Sequence, residues 1–275
     1  MKSLSDFAQS SRDSVGKFKS PSRRGRYNFA NWPFINGSLQ QDSGMQNTNA
    51  IAWVIFVGFA VFGVVIVLVL FGKKQARERA LAMQAAAQQI GFTFLGNDQT
   101  RAVSVRTTLF RRGGGRRFRN IMNGSHAGFE ISLFDYSYTI STGKSSSTFT
   151  QTVAAFIQNL PLPVFDLHRE GFFDRVGDVF THNDIDFESN PEFSRRYHLS
   201  GDEKERIQEL FTPALLTFLE GLSPDSGWHF EGSGLTLILY RGNQTIVADQ
   251  LQPFLDETSS LAHNFFTACG LKAGK

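Results

Sequence analysis

Residues 50–71, AIAWVIFVGFAVFGVVIVLVLF, form 22 consecutive apolar positions, and no charged residue stands between Asp42 and Lys73. A helix rising about 1.5 Å per residue needs about 20 residues to cross a hydrocarbon core of roughly 30 Å. A buried core helix is a poor alternative, because helices of globular proteins keep a polar face. A cleaved signal peptide fails as well. A tail of 49 residues precedes the run, and charges follow directly where a small-residue cleavage site belongs. The run predicts a transmembrane helix over 50–72. It sets off a tail at 1–49, a helical stalk at 73–91 and a soluble domain at 92–275.

Charge beside the span gives an orientation. Lys73, Lys74, Arg77 and Arg79 follow it against the single acid Glu78, whereas no Lys or Arg lies between Asn28 and Ala50. Counting positive charges near the span ends puts the C-terminal domain in the cytoplasm and the N-terminus outside. Arg23, Arg24 and Arg26 fall just beyond that counting window. The serine-rich tail lacks apolar periodicity and is expected to be mostly disordered. Its exception is YNFANWPFING, where Tyr27, Phe29, Trp32 and Phe34 cluster. They read as an interfacial aromatic belt or as a segment that orders against a protein partner.

Beyond the basic turn, ARERALAMQAAAQQIG is rich in strong helix formers and ends at Gly91, a suitable residue to close a helix. Strand-like stretches follow. NIMNG and GFEISLFDYSYTI read as a hairpin with Gly124 and Gly128 at the turn, and TFTQTVAAFI reads as another strand. LPLPVFDL is expected to break into a short extended piece at Pro161 and Pro163. DIDFESNPEFSRRYHLSG reads as short strands around Asn190 and Pro191, and WHFEGSGLTLILY as a hairpin around GSG. Asp202 with Glu205 has capping-box spacing, and Thr212–Pro213 restarts the helix that Pro213 interrupts. A last amphipathic helix carries Leu251, Phe254, Leu255, Leu261, Ala262 and Phe265 on one face. Neighbouring strands followed by gathered helices predict an α+β domain on an antiparallel sheet.

In that order, GFTFLG, FDYSYTISTGK, QTVAAF, LPLPVFDL, DIDFESNPEFSRRYHLSG and LFTPALLTFLE resemble an uncharacterised family of bacterial single-pass membrane-anchored proteins with a cytoplasmic α+β domain. The resemblance covers roughly residues 73–260. It implies architecture and an inner-membrane location, and brings no activity or catalytic residue with it.

Chemical motifs are sparse. TGKSS at 142–146 has the Gly-Lys-Ser of a phosphate loop, but Tyr138 stands where the first glycine belongs and a strand follows where a helix is needed. It reads as a polar turn, with Lys144 available to a neighbouring carboxylate. His182, Asp184 and Asp186 alternate and would share a strand face as hard metal ligands, or would satisfy backbone amides and Arg195 or Arg196. Asp135 interrupts an aromatic strand. It reads as a tie to Lys144 or an arginine, or as a catalytic acid or base. The one cysteine, Cys269, forms no internal disulfide and reads as a core residue.

A net charge of +3 carries no global nucleic-acid signal. Positive charge is local: Arg101, Arg106, Arg111, Arg112, Arg116, Arg117 and Arg119 surround the glycines at 113–115. One such segment without repetition disfavours RNA. A solvated loop and contact with anionic headgroups remain, the latter through Lys73, Lys74, Arg77, Arg111, Arg112, Arg116 and Arg117. With no cofactor expected and no assembled nucleophile, base and orienting group, the chain reads as a non-enzymatic accessory, scaffolding or assembly subunit of a membrane complex. The alternatives are a membrane-tethered metal-dependent hydrolase using Asp135, His182, Asp184 or Asp186, and a lipid- or RNA-binding module using the arginine cluster.

Overall fold

The computed structural model describes residues 43–98, 107–143, 145–169, 184–223 and 225–271. The chain has two compact units, Met1–Gly63 and Val64–Lys275. In the first, the described residues are helical from Ser43 onward. That helix, α1 (Ser43–Gln89), runs 47 residues without a break. It begins ahead of the apolar run and continues through the basic residues after it. From Ile51 to Glu78 every residue of α1 is exposed. By length and composition this is a helix able to cross a membrane.

The last turns of α1 belong to the domain core. Met83, Ala86 and Ala87 are buried there. The helix ends in a Schellman closure: the Phe92 amide donates to the Ala87 carbonyl (2.8 Å) and the Gly91 amide to the Gln88 carbonyl (3.2 Å). Gly91 takes φ of 75°, the left-handed conformation such a closure requires. Phe92 then turns back onto the core.

Six antiparallel strands follow: β1 (Thr93–Gly96), β2 (Gly114–His126), β3 (Phe129–Thr142), β4 (Ser145–Arg169), β5 (Tyr197–Ser200) and β6 (Trp228–Arg241). β4 is the spine. β3 pairs with its first half and β5 with its last four residues along one edge, and β6 runs along the other. The β2–β3 hairpin closes on Ala127 and Gly128, both at positive φ. Gly124 is not at that turn. It lies inside β2, where a Cβ would overlap the Phe92 ring.

WHFEGSGLTLILY does not fold back as a hairpin. It is the single strand β6, which pairs with β4 on both sides of the glycines. LPLP likewise stays within β4. The two irregularities face each other, with register shifts between Ile157 and Leu162 and again between Leu162 and Phe165. Pro161 and Pro163 lack the amide a ladder requires, so β4 bulges there. Gly234, at φ of 55°, lets β6 follow, and the Phe165 ring occupies the space a Cβ on Gly232 would need. The shift reverses which residues of β4 face the helices: Ala154 and Phe156 do so before it, Phe165 and Leu167 after it.

The remaining helices are α2 (Pro191–Arg196), α3 (Lys204–Leu210), α4 (Pro213–Glu220) and α5 (Leu251–Ala268). The Asp202–Glu205 capping box does not form, since Glu203 occupies the cap position and no side chain caps α3. Thr212 does cap α4, with Pro213 following. Its hydroxyl accepts from the Leu215 amide (3.2 Å) and donates to the Ala268 carbonyl (2.7 Å), tying α4 to the end of α5. The residues expected on the inner face of α5 are buried, joined by Phe266. Cys269 packs half-buried against this core, and burial pushes its thiol up to about 12. Of the short strands expected on either side of a turn at Asn190 and Pro191, the second is β5, whereas Pro191 opens α2 and Asp184 makes only an isolated bridge to Ser200.

The sheet separates two cores. Helices cover one face, where Phe129, Leu133, Phe156, Phe165 and Phe265 lie. On the other, Phe134, Tyr136, Tyr138, Ile238 and Tyr240 pack under Leu109 and Phe110 of a short 3-10 turn at Leu109–Arg111.

Candidate functional site

Asp135 continues the helix-side row of β3 after Phe129, Ile131 and Leu133, and it is 5% exposed. Among the described residues its cationic partner is Arg79 of α1. The guanidinium grips both carboxylate oxygens, at 2.9 and 3.0 Å. Asn120 Nδ2 donates to Oδ2 (2.7 Å) and Thr152 Oγ1 to Oδ1 (2.8 Å). Thr152 Oγ1 in turn accepts from the Ile246 amide at 3.1 Å. The carboxylate is thus fully engaged in fastening α1 to three strands, and a two-pronged guanidinium grip fixes direction as well as contact. No oxygen of Asp135 is left to act as an acid or base on a substrate.

A second cluster lies on the opposite face, beneath the 3-10 turn. Asp166 and His168 alternate along β4, and His229 and Glu231 along β6; Asp166 stands directly across from Glu231. On the β5 side His168 faces His198. Across these strands the His168 ring centroid lies 5.0 Å from that of His198 and 5.7 Å from that of His229. Arg112, the residue after the turn, reaches down to Asp166 Oδ2 at 2.6 Å, and His168 Nδ1 lies 3.3 Å from Oδ1. Glu231 accepts from the Leu109 amide (2.8 Å) and from the Tyr240 hydroxyl (2.7 Å).

Burial dominates the ionisation of this cluster. It would raise the Asp166 carboxyl, but the Arg112 guanidinium and the bond with His168 overcome it and hold the group well below the usual carboxylate range. Glu231 is pushed up to about 7, by burial first and by the Asp166 charge second. Burial lowers His168 against the pull of Asp166. It lowers His229 further, helped by His168. The Tyr240 phenol is driven well above its ordinary value by burial and by Glu231. Asp166, His168 and His229 each offer a ligand atom, all within 4.8 Å of one another, and the set suits a transition ion in kind. A guanidinium fixed on the carboxylate opposes a second cation at that spot. What the arrangement does is fasten the turn: one buried ion pair and one carboxylate–amide bond hold residues 109–112 to β4 and β6.

Arg112 is therefore a correction. Expected among surface cations facing lipid, it is 3% exposed and committed to Asp166, because the chain dives into the second core between Leu109 and Gly113. Its neighbours behave differently. Arg111, Arg116, Arg117 and Arg119 are exposed, and Arg116 folds back onto the carbonyls of Arg111, Arg112 and Gly113. Lys73, Lys74 and Arg77 are exposed on α1, where Lys74 lies 3.8 Å from Glu78. Within TGKSS, Thr142 at the end of β3 pairs with Ser145 at the start of β4, and Gly143 takes φ of 60°. Strands on both sides leave no helix N-terminus to hold phosphate.

Asp184 and Asp186 do not join Asp135. Both are exposed, in a surface groove of about 600 Å³ that Lys204 and Gln208 also line. Asp184 accepts from the Leu199 amide (3.2 Å) and lies 3.3 Å from His198 Nδ1. Tyr27, Phe29, Trp32, Phe34, Arg101, Arg106, Lys144 and His182 lie outside the described residues. Sequence reading passed over the second cluster. Its signal was the alternation of polar residues in FDLH and WHFE, two strands whose neighbours are otherwise apolar.

No family model and no curated protein matches the chain. Among solved structures it is similar to the crystal structure of the mycobacterial trehalose monomycolate transport factor A, TtfA. The TM-score is 0.48 and the identity 13%, over 72% of this chain and 99% of that one. Likeness at this level carries neither a fold nor a task across.

Proposed function

We propose that this chain is a non-enzymatic, single-pass inner-membrane protein. Its N-terminus lies outside and its cytoplasmic α+β domain serves as an accessory, scaffolding or assembly subunit of a membrane complex. The observation that carries this reading is the continuity of α1. One unbroken helix includes the exposed apolar run and ends buried in the domain, secured by Arg79 on Asp135. Such a connection holds a domain close to a membrane, as an adaptor requires; a freely swinging tethered enzyme needs no clamp. The polar groups support the same reading. The strongly perturbed ones, Asp166, Glu231, His229 and Tyr240, are buried; Asp166 is paired with Arg112, and Glu231 accepts from Tyr240 and from the Leu109 amide. In this account the aromatic tail segment supplies contacts to the partner.

Purification from membranes in mild detergent tests the reading. The expected result is a particle of fixed stoichiometry that contains a second integral membrane protein and survives dilution. A solitary monomer of this chain contradicts it.

A further inference from the structure

On the helix-covered face the apolar floor stops at Leu133 and Ala154, a directly opposed pair. Next comes the Asp135–Thr152 pair under Arg79. Beyond it the same rows carry only hydroxyls: Ser137, Thr139 and Ser141 on β3 face Thr150, Thr148 and Ser146 on β4. Arg119 and Arg117 of β2 stand beside Asp135 and Ser137 and are exposed. Glu130 and Asp135 are the only acids from residue 107 to 165, whereas residues 184–225 carry ten acids against four basic residues. β4 separates these regions: its first residue is at the hydroxyl tip, and its last four pair with β5, beside Asp184.

Two contacts give the direction of α1 over this face. Phe92, just past its end, packs on Gly124, which pairs with Ile131; Arg79 sits on Asp135. Moving back along α1 from Gln89 to Arg79 covers about 15 Å. The corresponding step on β3, from Ile131 to Asp135, covers about 13 Å in the same sense. Helix and strand therefore run nearly alongside. A further step of about 12 Å takes α1 from Arg79 to Phe71, the last residue of the apolar run. That level matches Thr139 on β3, and Arg117, which pairs with Ser137, stands close to the level of Lys74.

We propose that this open end of the sheet is a docking face for the anionic phospholipid headgroups of the leaflet from which α1 emerges. The proposal rests on the reading that α1 crosses the membrane. Guanidinium groups of Arg117 and Arg119 pair with phosphate oxygens, and the serine and threonine hydroxyls donate to the same layer. The acidic half of the domain faces away from the negative surface, so the charge asymmetry favours this seating over its reverse.

The test uses the full chain with Cys269→Ser and Ser146→Cys, labelled at residue 146 with an environment-sensitive fluorophore. It is reconstituted into nanodiscs of phosphatidylcholine alone or mixed with phosphatidylglycerol. The expected result is a blue-shifted, brighter emission in the anionic discs only. That shift is lost in R117Q/R119Q and in about 1 M salt, where the screening length falls to roughly 3 Å. Identical spectra in the two kinds of disc overturn the proposal, and so does a shift that survives R117Q/R119Q. Incorporation into discs is scored separately by co-elution: a chain that fails to incorporate refutes the spanning reading itself, whereas an incorporated chain without a lipid-dependent shift refutes only the docking face.

Discussion

Two arginines separated by 33 positions do the same job at different places, and neither role is visible from its neighbours. Arg79 stands in a helix of mixed charge and Arg112 in a run of arginines, yet each is drawn to one buried carboxylate. Removing only one partner of such a pair strands a charge in the interior. We expect Arg112→Met to cost about 3–5 kcal/mol, and Arg112→Met with Asp166→Leu to recover much of that loss. Denaturant titration of the three proteins checks this; equal losses in the single and double variants contradict it. Glu231 gives a pH signature. Its folded carboxyl sits at about 7 against 4.5 unfolded, so the folded state keeps a proton that the unfolded chain releases. That contribution is complete below 4.5 and declines as pH rises through 7. The depressed histidines act in the opposite sense, losing stability as pH falls through 6.5. Glu231→Gln isolates the carboxyl: relative to wild type, its stability should improve from about pH 5 to about pH 8. A pH-independent difference contradicts the assignment.

At the scale of elements, local signals served where local physics decides. The glycine closing α1, the Thr212–Pro213 restart and the buried stripe of α5 all appear where the sequence places them. The β6 hairpin and the β4 break did not, because proline and glycine mark irregularity without saying whether a strand ends or bends. Here each bulge is matched by one on its neighbour, a pairing between residues about 70 apart that periodicity along one strand cannot show. The capping box failed for a related reason, since spacing of the right residue types does not place the helix start. The matched bend makes Gly232 a packing requirement. Gly232→Ala drives a methyl into the buried Phe165 ring and should cost about 1–3 kcal/mol, read as a lowered melting temperature. Gly114→Ala, likewise at an ordinary φ but with open space around the position, is the control for the loss of a glycine alone. A loss at Gly232 no larger than that at Gly114 contradicts the packing argument.

For the whole molecule, the apolar run and the α+β character were legible because each depends on composition and short-range pattern. The second cluster was not, since Arg112, Asp166 and Glu231 meet only after three distant segments pair. On the proposed reading, α1 passes through the membrane and enters the domain as one helix. Alkaline carbonate extraction of native membranes, followed by blotting for the full chain, tests it most directly. The chain is expected to stay in the pellet with integral proteins. Release of the intact chain into the carbonate supernatant contradicts it.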